Sequence, residues 1–248
     1  MKIGLFVPCY IDALFPEVAI ATLELLEGLG VEVGYPADQT CCGQPMANSG
    51  CRQEAAVTEA HFATCFGTYD TVVGPSGRCV YHVRRHLDAI RQTPEVTKVR
   101  GAVRELVEFL HDDLKVADFP HTSFPHKVGL FNSCTAIRGL GHARSSERAH
   151  EPDYSKTRDI LSKIPGLRLV ERERIDECCG FGGSFCVTDQ AVAAKMSEDL
   201  VHDFHRQGAE YLTSADMSCL LHIKGAIDRL GLPLKVIHIA QILNGAPG

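Results

Sequence analysis

Cys178-Cys179-Gly180-Phe181-Gly182-Gly183 is the stretch on which the fold turns. Adjacent cysteines followed at once by glycines make little sense as core packing. They suit thiols presented by a backbone that approaches a bulky group closely. The stretch has a twin, Cys41-Cys42-Gly43-Gln44-Pro45. Each copy has an isolated cysteine upstream, Cys9 or Cys134, and one downstream, Cys79 or Cys219, so eight of the 11 cysteines fall into two matching sets of four. The runs that lead into the upstream cysteines match as well. Lys127-Val128-Gly129-Leu130-Phe131-Asn132-Ser133-Cys134 nearly repeats Lys2-Ile3-Gly4-Leu5-Phe6-Val7-Pro8-Cys9. A repeated apolar run, a repeated Cys-Cys-Gly and a repeated final cysteine together mean two related halves.

Working outward, residues 2–7 form an apolar run of strand length. Pro16 opens a helix with Val18, Leu25, Leu26 and Leu29 on one face, and Gly28 and Gly30 mark its end. A strand at 31–35, a helix at 52–66 and a strand at 71–74 follow, and Pro75-Ser76-Gly77 turns the chain to Cys79 at a helix start. Val99, Val103, Leu106, Val107 and Leu110 read as one face of a connecting helix, and residues 118–126, with Pro120 and Pro125, as an extended linker. In the second half the pattern predicts strands at 167–170 and 210–214. It also predicts a helix carrying Val192, Met196, Leu200 and Phe204, and a last helix at 216–230. The fold class expected is α/β, with two pseudo-symmetric repeats, each a small parallel sheet flanked by helices. The expected domains are an N-terminal cysteine-rich repeat at 1–97, a connecting helix and linker at 98–125, and a C-terminal cysteine-rich repeat at 126–248.

Composition narrows the function. The chain has 248 residues, 45% of them hydrophobic and 23% charged, which is ordinary for a globular protein able to bury a core. A formal net charge of −6 argues against a nucleic-acid-binding face. Eleven cysteines are odd in number and too sparse for a disulfide scaffold in a chain of this length. The opening apolar run imitates a signal peptide, yet Pro8, Asp12, Pro16 and Glu17 interrupt it and no small-residue cleavage site follows. With no apolar stretch long enough for a membrane span, the expectation is a cytoplasmic protein without a transmembrane segment.

In each half the cysteines fall just after strands or at helix starts. Ligands of open parallel sheets bind beyond the carboxyl ends of the strands, so four sulfurs distant in sequence can converge there. Helix N-termini would add positive potential and lower thiol pKa values. Three chemistries compete for the sulfurs. A disulfide between neighbours is disfavoured, because adjacent Cα atoms lie about 3.8 Å apart against a usual disulfide span of about 4.4–6.8 Å. Structural zinc normally takes ligand pairs about two to four residues apart, not adjacent ones. An iron–sulfur cluster holds several irons, so adjacent cysteines can bind neighbouring metals, and cysteine thiolates are its usual ligands. Iron–sulfur fits best, with zinc and free thiols as the other readings.

These residues resemble the cysteine-rich, Cys-Cys-Gly domain family, which includes the Cys-Cys-Gly subunit of heterodisulfide reductase and the iron–sulfur subunit of glycolate oxidase. The resemblance covers essentially the whole chain. It is carried by Pro8-Cys9-Tyr10, Cys41-Cys42-Gly43-Gln44-Pro45 with Asn48-Ser49-Gly50, Pro75-Ser76-Gly77-Arg78-Cys79, Cys178-Cys179-Gly180-Phe181-Gly182-Gly183 and Ala215-Asp216-Met217-Ser218-Cys219. In length and motif it is nearest to the family's lactate-utilisation branch. The resemblance implies an iron–sulfur electron-transfer subunit of a multi-subunit oxidoreductase that oxidises L-lactate to pyruvate. Its implied partners are companion subunits that include a ferredoxin-like iron–sulfur protein. Cys9, Cys41, Cys42 and Cys79 would hold one centre and Cys134, Cys178, Cys179 and Cys219 the other, as [4Fe–4S] clusters, one or two per chain.

In its heterodisulfide reductase form the family ends each repeat in Cys-x-x-Cys, and five cysteines hold a non-cubane four-iron cluster. Here His82 and His222 stand at the matching positions, so that full ligand set is absent. A cubane on four cysteines and a cluster with one histidine ligand both fit. A heterodisulfide or thiol–disulfide reductase component that binds substrate at a cluster, and a zinc-stabilised binding module, are the alternative functions. No flavin or nicotinamide fingerprint, Ser-His-Asp set or paired carboxylates can be read, so no catalytic residue is assigned.

The remaining candidates have plainer readings. His82 and His222 are read as neighbours hydrogen-bonded near a sulfur. Cys51 and Cys186 are read as small buried hydrophobes, and Cys65 as a core residue of its helix. Arg78, Arg84 and Arg85 read as a solvated helix face. Gly180, Gly182 and Gly183 miss the spacing of a phosphate loop.

Overall fold

The computed structural model describes residues 2–246. It divides into two units, one running through Phe109 and the other starting at Leu110. The first runs β1 (Ile3–Leu5), α1 (Cys9–Leu14), α2 (Pro16–Gly28), β2 (Val33–Gly34), α3 (Gln44–Asn48), α4 (Arg52–Phe66), β3 (Thr71–Gly74), α5 (Gly77–His86), α6 (Pro94–Ala102), β4 (Val103–Glu105) and α7 (Leu106–Glu108). The second runs β5 (Lys127–Leu130), a π-helical turn (Thr135–Gly139), α8 (Lys156–Leu161), β6 (Arg168–Val170), α9 (Phe185–Thr188), α10 (Gln190–Arg206), β7 (Tyr211–Ser214), α11 (Met217–Leu230), β8 (Lys235–His238) and α12 (Ile239–Leu243).

Each unit has one four-stranded sheet, ordered β2-β1-β3-β4 in the first and β6-β5-β7-β8 in the second. Every pairing is parallel, as the alternation of strands and helices predicts. The registers correspond: Gly4 pairs with Val72, and Gly129 with Leu212. Both glycines exist for close approach. A Cβ on Gly4 would sit 2.9 Å from the Tyr69 ring, and one on Gly129 would sit 2.4 Å from the Phe204 ring. The core of the first unit is aromatic, with Phe6, Phe62 and Phe66 in mutual ring contact at 4.7–5.8 Å. In the second unit Phe131, Leu200, Phe204, Leu212 and Ile223 form one buried cluster together with Cys179 and Cys219. Two cysteines of the second set are therefore seated in the core rather than added to its surface.

Several expectations are corrected. The run from Val99 to Leu110 is not one helix. α6 stops at Ala102, and Val103 and Glu105 join the sheet opposite Val72 and Gly74. Glu105 then caps the next helical turn in a reciprocal box with Glu108. β8 supplies the corresponding fourth strand in the second sheet and was also not foreseen. In α10 Val192 is exposed, and the buried face is Ala193, Ser197, Leu200, Val201 and Phe204. Arg84 is not on a solvated face: its guanidinium donates to both carboxylate oxygens of Glu108, at 3.0 and 2.7 Å. Among the described residues no helix is long and apolar enough to cross a membrane.

Candidate metal centres

In the first unit the cysteines follow three successive parallel strands. Cys9 opens α1 after β1, Cys41 and Cys42 lie between β2 and α3, and Cys79 is the third residue of α5 after β3. In the second unit Cys134 follows β5, Cys178 and Cys179 lie between β6 and α9, and Cys219 is the third residue of α11 after β7. The carboxyl ends of the strands thus bring each set together, as in other open parallel sheets. The thiols of Cys9 and Cys41, Cys41 and Cys42, and Cys42 and Cys79 are hydrogen-bonded in a chain. Cys134, Cys178, Cys179 and Cys219 form the same chain in the second unit. Burial follows the same gradient: the second cysteine of each pair and the downstream cysteine are buried, while the first of each pair is half-buried. Cys9 is exposed and Cys134 half-buried.

The glycine after each pair is required by its backbone. Gly43 has φ +92° and Gly180 φ +88°, in the left-handed region that favours glycine. This conformation turns the glycine N–H back onto the first sulfur of the pair, 3.4 Å from Cys41 Sγ and 3.5 Å from Cys178 Sγ. A Cβ on Gly180 would also lie 2.5 Å from the Ala193 carbonyl oxygen.

Protonation differs between the sets. Hydrogen bonds from the Cys42 and Cys9 thiols hold Cys41 down to about 3. The same contact with Cys41, reinforced by burial, pushes Cys9 up, and Cys42 rises for the like reason. In the second set the bond with Cys134 pulls Cys178 down, but the bond with Cys179 and burial win and push it up. Cys178 likewise pulls on Cys179, and the bond with Cys219 and burial outweigh it. For Cys219 the bond with Cys179 is outweighed by burial and the Asp216 carboxylate, so a helix start does not lower this thiol as expected. Four sulfurs in contact resist shared ionisation, and a cationic core among them removes that repulsion. The donor set therefore fits a metal or iron–sulfur cofactor.

The two histidines do different work. His82 is buried, hydrogen-bonds to the backbone of Cys42, and is lowered to about 4 by burial. Its Nε2 lies 3.5 Å from Glu59 Oε1, and neither atom has a hydrogen-bond partner among the described residues. The other Glu59 oxygen accepts from the Ala89 N–H at 2.8 Å, and burial pushes this carboxyl up. Glu59 was not foreseen. Its signal is a glutamate on the apolar stripe of α4 between Ala55 and Phe62. His222 is half-buried, and its Nε2 donates to the Ala193 carbonyl at 3.2 Å. Beside it opens a cavity of about 720 Å³ bordered by Phe181, Cys186, Gln190, Ser197 and Arg229, while the cavity beside His82 is about 370 Å³.

Three cysteines depart from their expected burial. Cys51 is exposed, Cys186 is half-buried with its thiol on the Gly183 carbonyl, and Cys65 is half-buried rather than core.

Comparison with known proteins agrees with the doubled architecture. The family model of the cysteine-rich domain CCG matches twice, at residues 3–84 and 128–224. Lactate utilization protein A of Halalkalibacterium halodurans is 36% identical over 248 residues, covering 98% of this chain and 97% of that protein. Lactate utilization protein A of an Exiguobacterium species is 38% identical over 250 residues, covering 98% and 97%. A putative Asp/Glu racemase from Yersinia pestis overlays with a TM-score of 0.40 at 9% identity, covering 98% of this chain and 96% of that one, and carries no argument. Two tandem matches and full-length relatives of this identity establish that the chain belongs to the cysteine-rich CCG domain family, alongside the lactate utilization A proteins.

Proposed function

We propose that this chain is the iron–sulfur electron-transfer subunit of a multi-subunit oxidoreductase that converts L-lactate to pyruvate in the cytoplasm. The observation that carries the reading is the pair of convergent four-thiol sets in a chain alike, over 98% of its length, to proteins named for lactate utilization. Cys9, Cys41, Cys42 and Cys79 hold one [4Fe–4S] centre, and Cys134, Cys178, Cys179 and Cys219 the other. When bound, such clusters supply one-electron transfer. The chain's own part is to pack the inner sulfurs in its core and to aim the Gly43 and Gly180 N–H groups at the outer ones. His82 and His222 serve as hydrogen-bonding neighbours rather than ligands, supported by the contacts of their rings with the Cys42 and Ala193 backbones. Lactate itself is handled by companion subunits, among them a ferredoxin-like iron–sulfur protein.

Anaerobic purification followed by iron, sulfide and zinc analysis tests the centres, and stopped-flow reduction tests the role. The chain is expected to carry iron and labile sulfide, to leave lactate untouched alone, and to be reduced once lactate and the companion subunits are added. Zinc filling both cysteine sets without sulfide would refute the cluster, and robust lactate turnover by the chain alone would refute the subunit role. The cavity beside His222 favours a second reading, reduction of a small disulfide at the C-terminal centre. Disulfide turnover by the pre-reduced chain would select it.

A further inference from the structure

Asp38, His61 and Cys65 gather in the first unit and share no residue with the two cysteine sets. His61 and Cys65 are four residues apart on α4 and share a face. Cys65 Sγ lies 3.3 Å from His61 Nε2, which in turn lies 2.7 Å from the Asp38 backbone carbonyl. The Asp38 carboxylate hydrogen-bonds the Cys65 thiol. One donor atom from each side chain, a sulfur, a nitrogen and a carboxylate oxygen, lies within 4.8 Å of the other two.

The second unit shows what this helix position does. Phe66 near the end of α4 and Phe204 near the end of α10 are both fully buried in their cores, which sets Cys65 against Asp203 and His61 against Asp199. The Asp203 carboxylate accepts from the backbone N–H groups of Glu173 and Arg174, at 3.1 and 3.3 Å. It thereby holds the loop that presents Cys178 and Cys179. In the first unit Asp38, on the loop ahead of Cys41, meets the Cys65 thiol and the His61 imidazole of α4 instead. The next residue of that loop, Gln39, is clasped to the end of β1 through the Val7 N–H and the Leu5 carbonyl.

We propose that Asp38, His61 and Cys65 bind one zinc-class divalent cation that ties the loop ahead of Cys41 to α4. A borderline-soft cation suits one sulfur, one nitrogen and one oxygen donor, whereas magnesium and calcium prefer oxygen alone. Zinc bonds of about 2.0–2.3 Å put tetrahedral donors about 3.3–3.7 Å apart, so the present separations close by small side-chain rotations, with water as fourth ligand. On binding, the Cys65 thiol releases its proton to solvent, and His61 Nε2 gives up its hydrogen bond to the Asp38 carbonyl and coordinates as neutral imidazole with its proton on Nδ1. Thiolate and carboxylate together balance the two positive charges. Burial and the Asp38 carboxylate push the Cys65 thiol up, which suits a proton displaced by metal better than a reactive thiolate. The site is independent of the iron–sulfur reading.

The test counts zinc in the full chain after one micromolar-zinc equilibration, with Cys65→Ser and His61→Ala alongside, and reads the zinc surroundings by X-ray absorption. Wild type is expected to carry one zinc per chain more than either variant, whichever metal fills the eight cysteines. Both variants should bind that zinc at least about 10-fold more weakly. The extra zinc should show a single sulfur neighbour. Because the three side chains are not fully buried, both variants should keep the wild-type melting curve when zinc is withheld. Equal zinc in wild type and variants, or an extra zinc surrounded by four sulfurs, overturns the proposal.

Discussion

Behind Cys42 stands a buried histidine–glutamate pair; behind Cys179 the corresponding ground is half open. Ala55 and Ala193 each lie beside the glycine of their motif, so Glu59 and Ser197, four residues later, are counterparts. Glu59 faces His82, whereas the Ser197 hydroxyl turns to its own helix at the Ala194 carbonyl and leaves His222 to the Ala193 carbonyl. The cavity beside the second set is accordingly about twice the other, at about 720 against 370 Å³. The strands set where the sulfurs go, and the two sets differ in the room beside them. The C-terminal set is the one with more space for a small molecule at its flank.

The largest test of two separate sets is removal of one sulfur from each. Cys41→Ser and Cys178→Ser should each lower iron and sulfide by about half, the serine oxygen being a poor substitute for thiolate. The two losses should add in the double variant, read by metal and sulfide analysis of anaerobic protein. Loss of all iron from either single variant would join the two sets into one centre and break the comparison.

The glycines come next. Gly43→Ala and Gly180→Ala both force a left-handed residue, at about 1–2 kcal/mol. The added methyl on Gly180 meets the Ala193 backbone oxygen at 2.5 Å, while on Gly43 the nearest atom is a side-chain one, Glu59 Cγ, at 3.0 Å. Overpacking against backbone adds about 1–3 kcal/mol, so Gly180→Ala should be the more destabilising in urea denaturation. Equal losses would mean that the two helices close over their motifs alike.

Much of this was legible in the sequence, and the gaps have physical causes. α4 and β3 run where the sequence placed them: α4 is a run rich in good helix formers without glycine or proline, and β3 a strand run closed by Gly74 and Pro75. The cysteine sets were legible because they repeat. β4 was not: three residues with Arg104 and Glu105 among them carry no alternation, and Val99, Val103 and Val107 imitate a helical stripe. Glu59 and the Asp38–His61–Cys65 group escaped notice because neither repeats in the second half, where serine and aspartates stand instead.

The smallest effects belong to the histidines. His82→Ala empties a buried site and strips Glu59 of a polar side-chain neighbour there, at a cost of about 1–3 kcal/mol. His222→Ala removes one hydrogen bond at a half-buried position, about 0.5–1.5 kcal/mol. The charge state of the buried pair can be read separately. Burial pushes Glu59 up and His82 down to about 4, so the imidazole is neutral near pH 7 and the two side chains form no ion pair there. Glu59→Gln should then cost under about 1 kcal/mol, less than His82→Ala, since a neutral isostere keeps the oxygen that accepts from Ala89. Urea denaturation of the three variants at pH 7 checks the order. A Glu59→Gln loss as large as that of His82→Ala would mean that an ion pair, with a charged imidazole, backs the first cysteine set, and the contrast with the second half would then be one of charge as well as space.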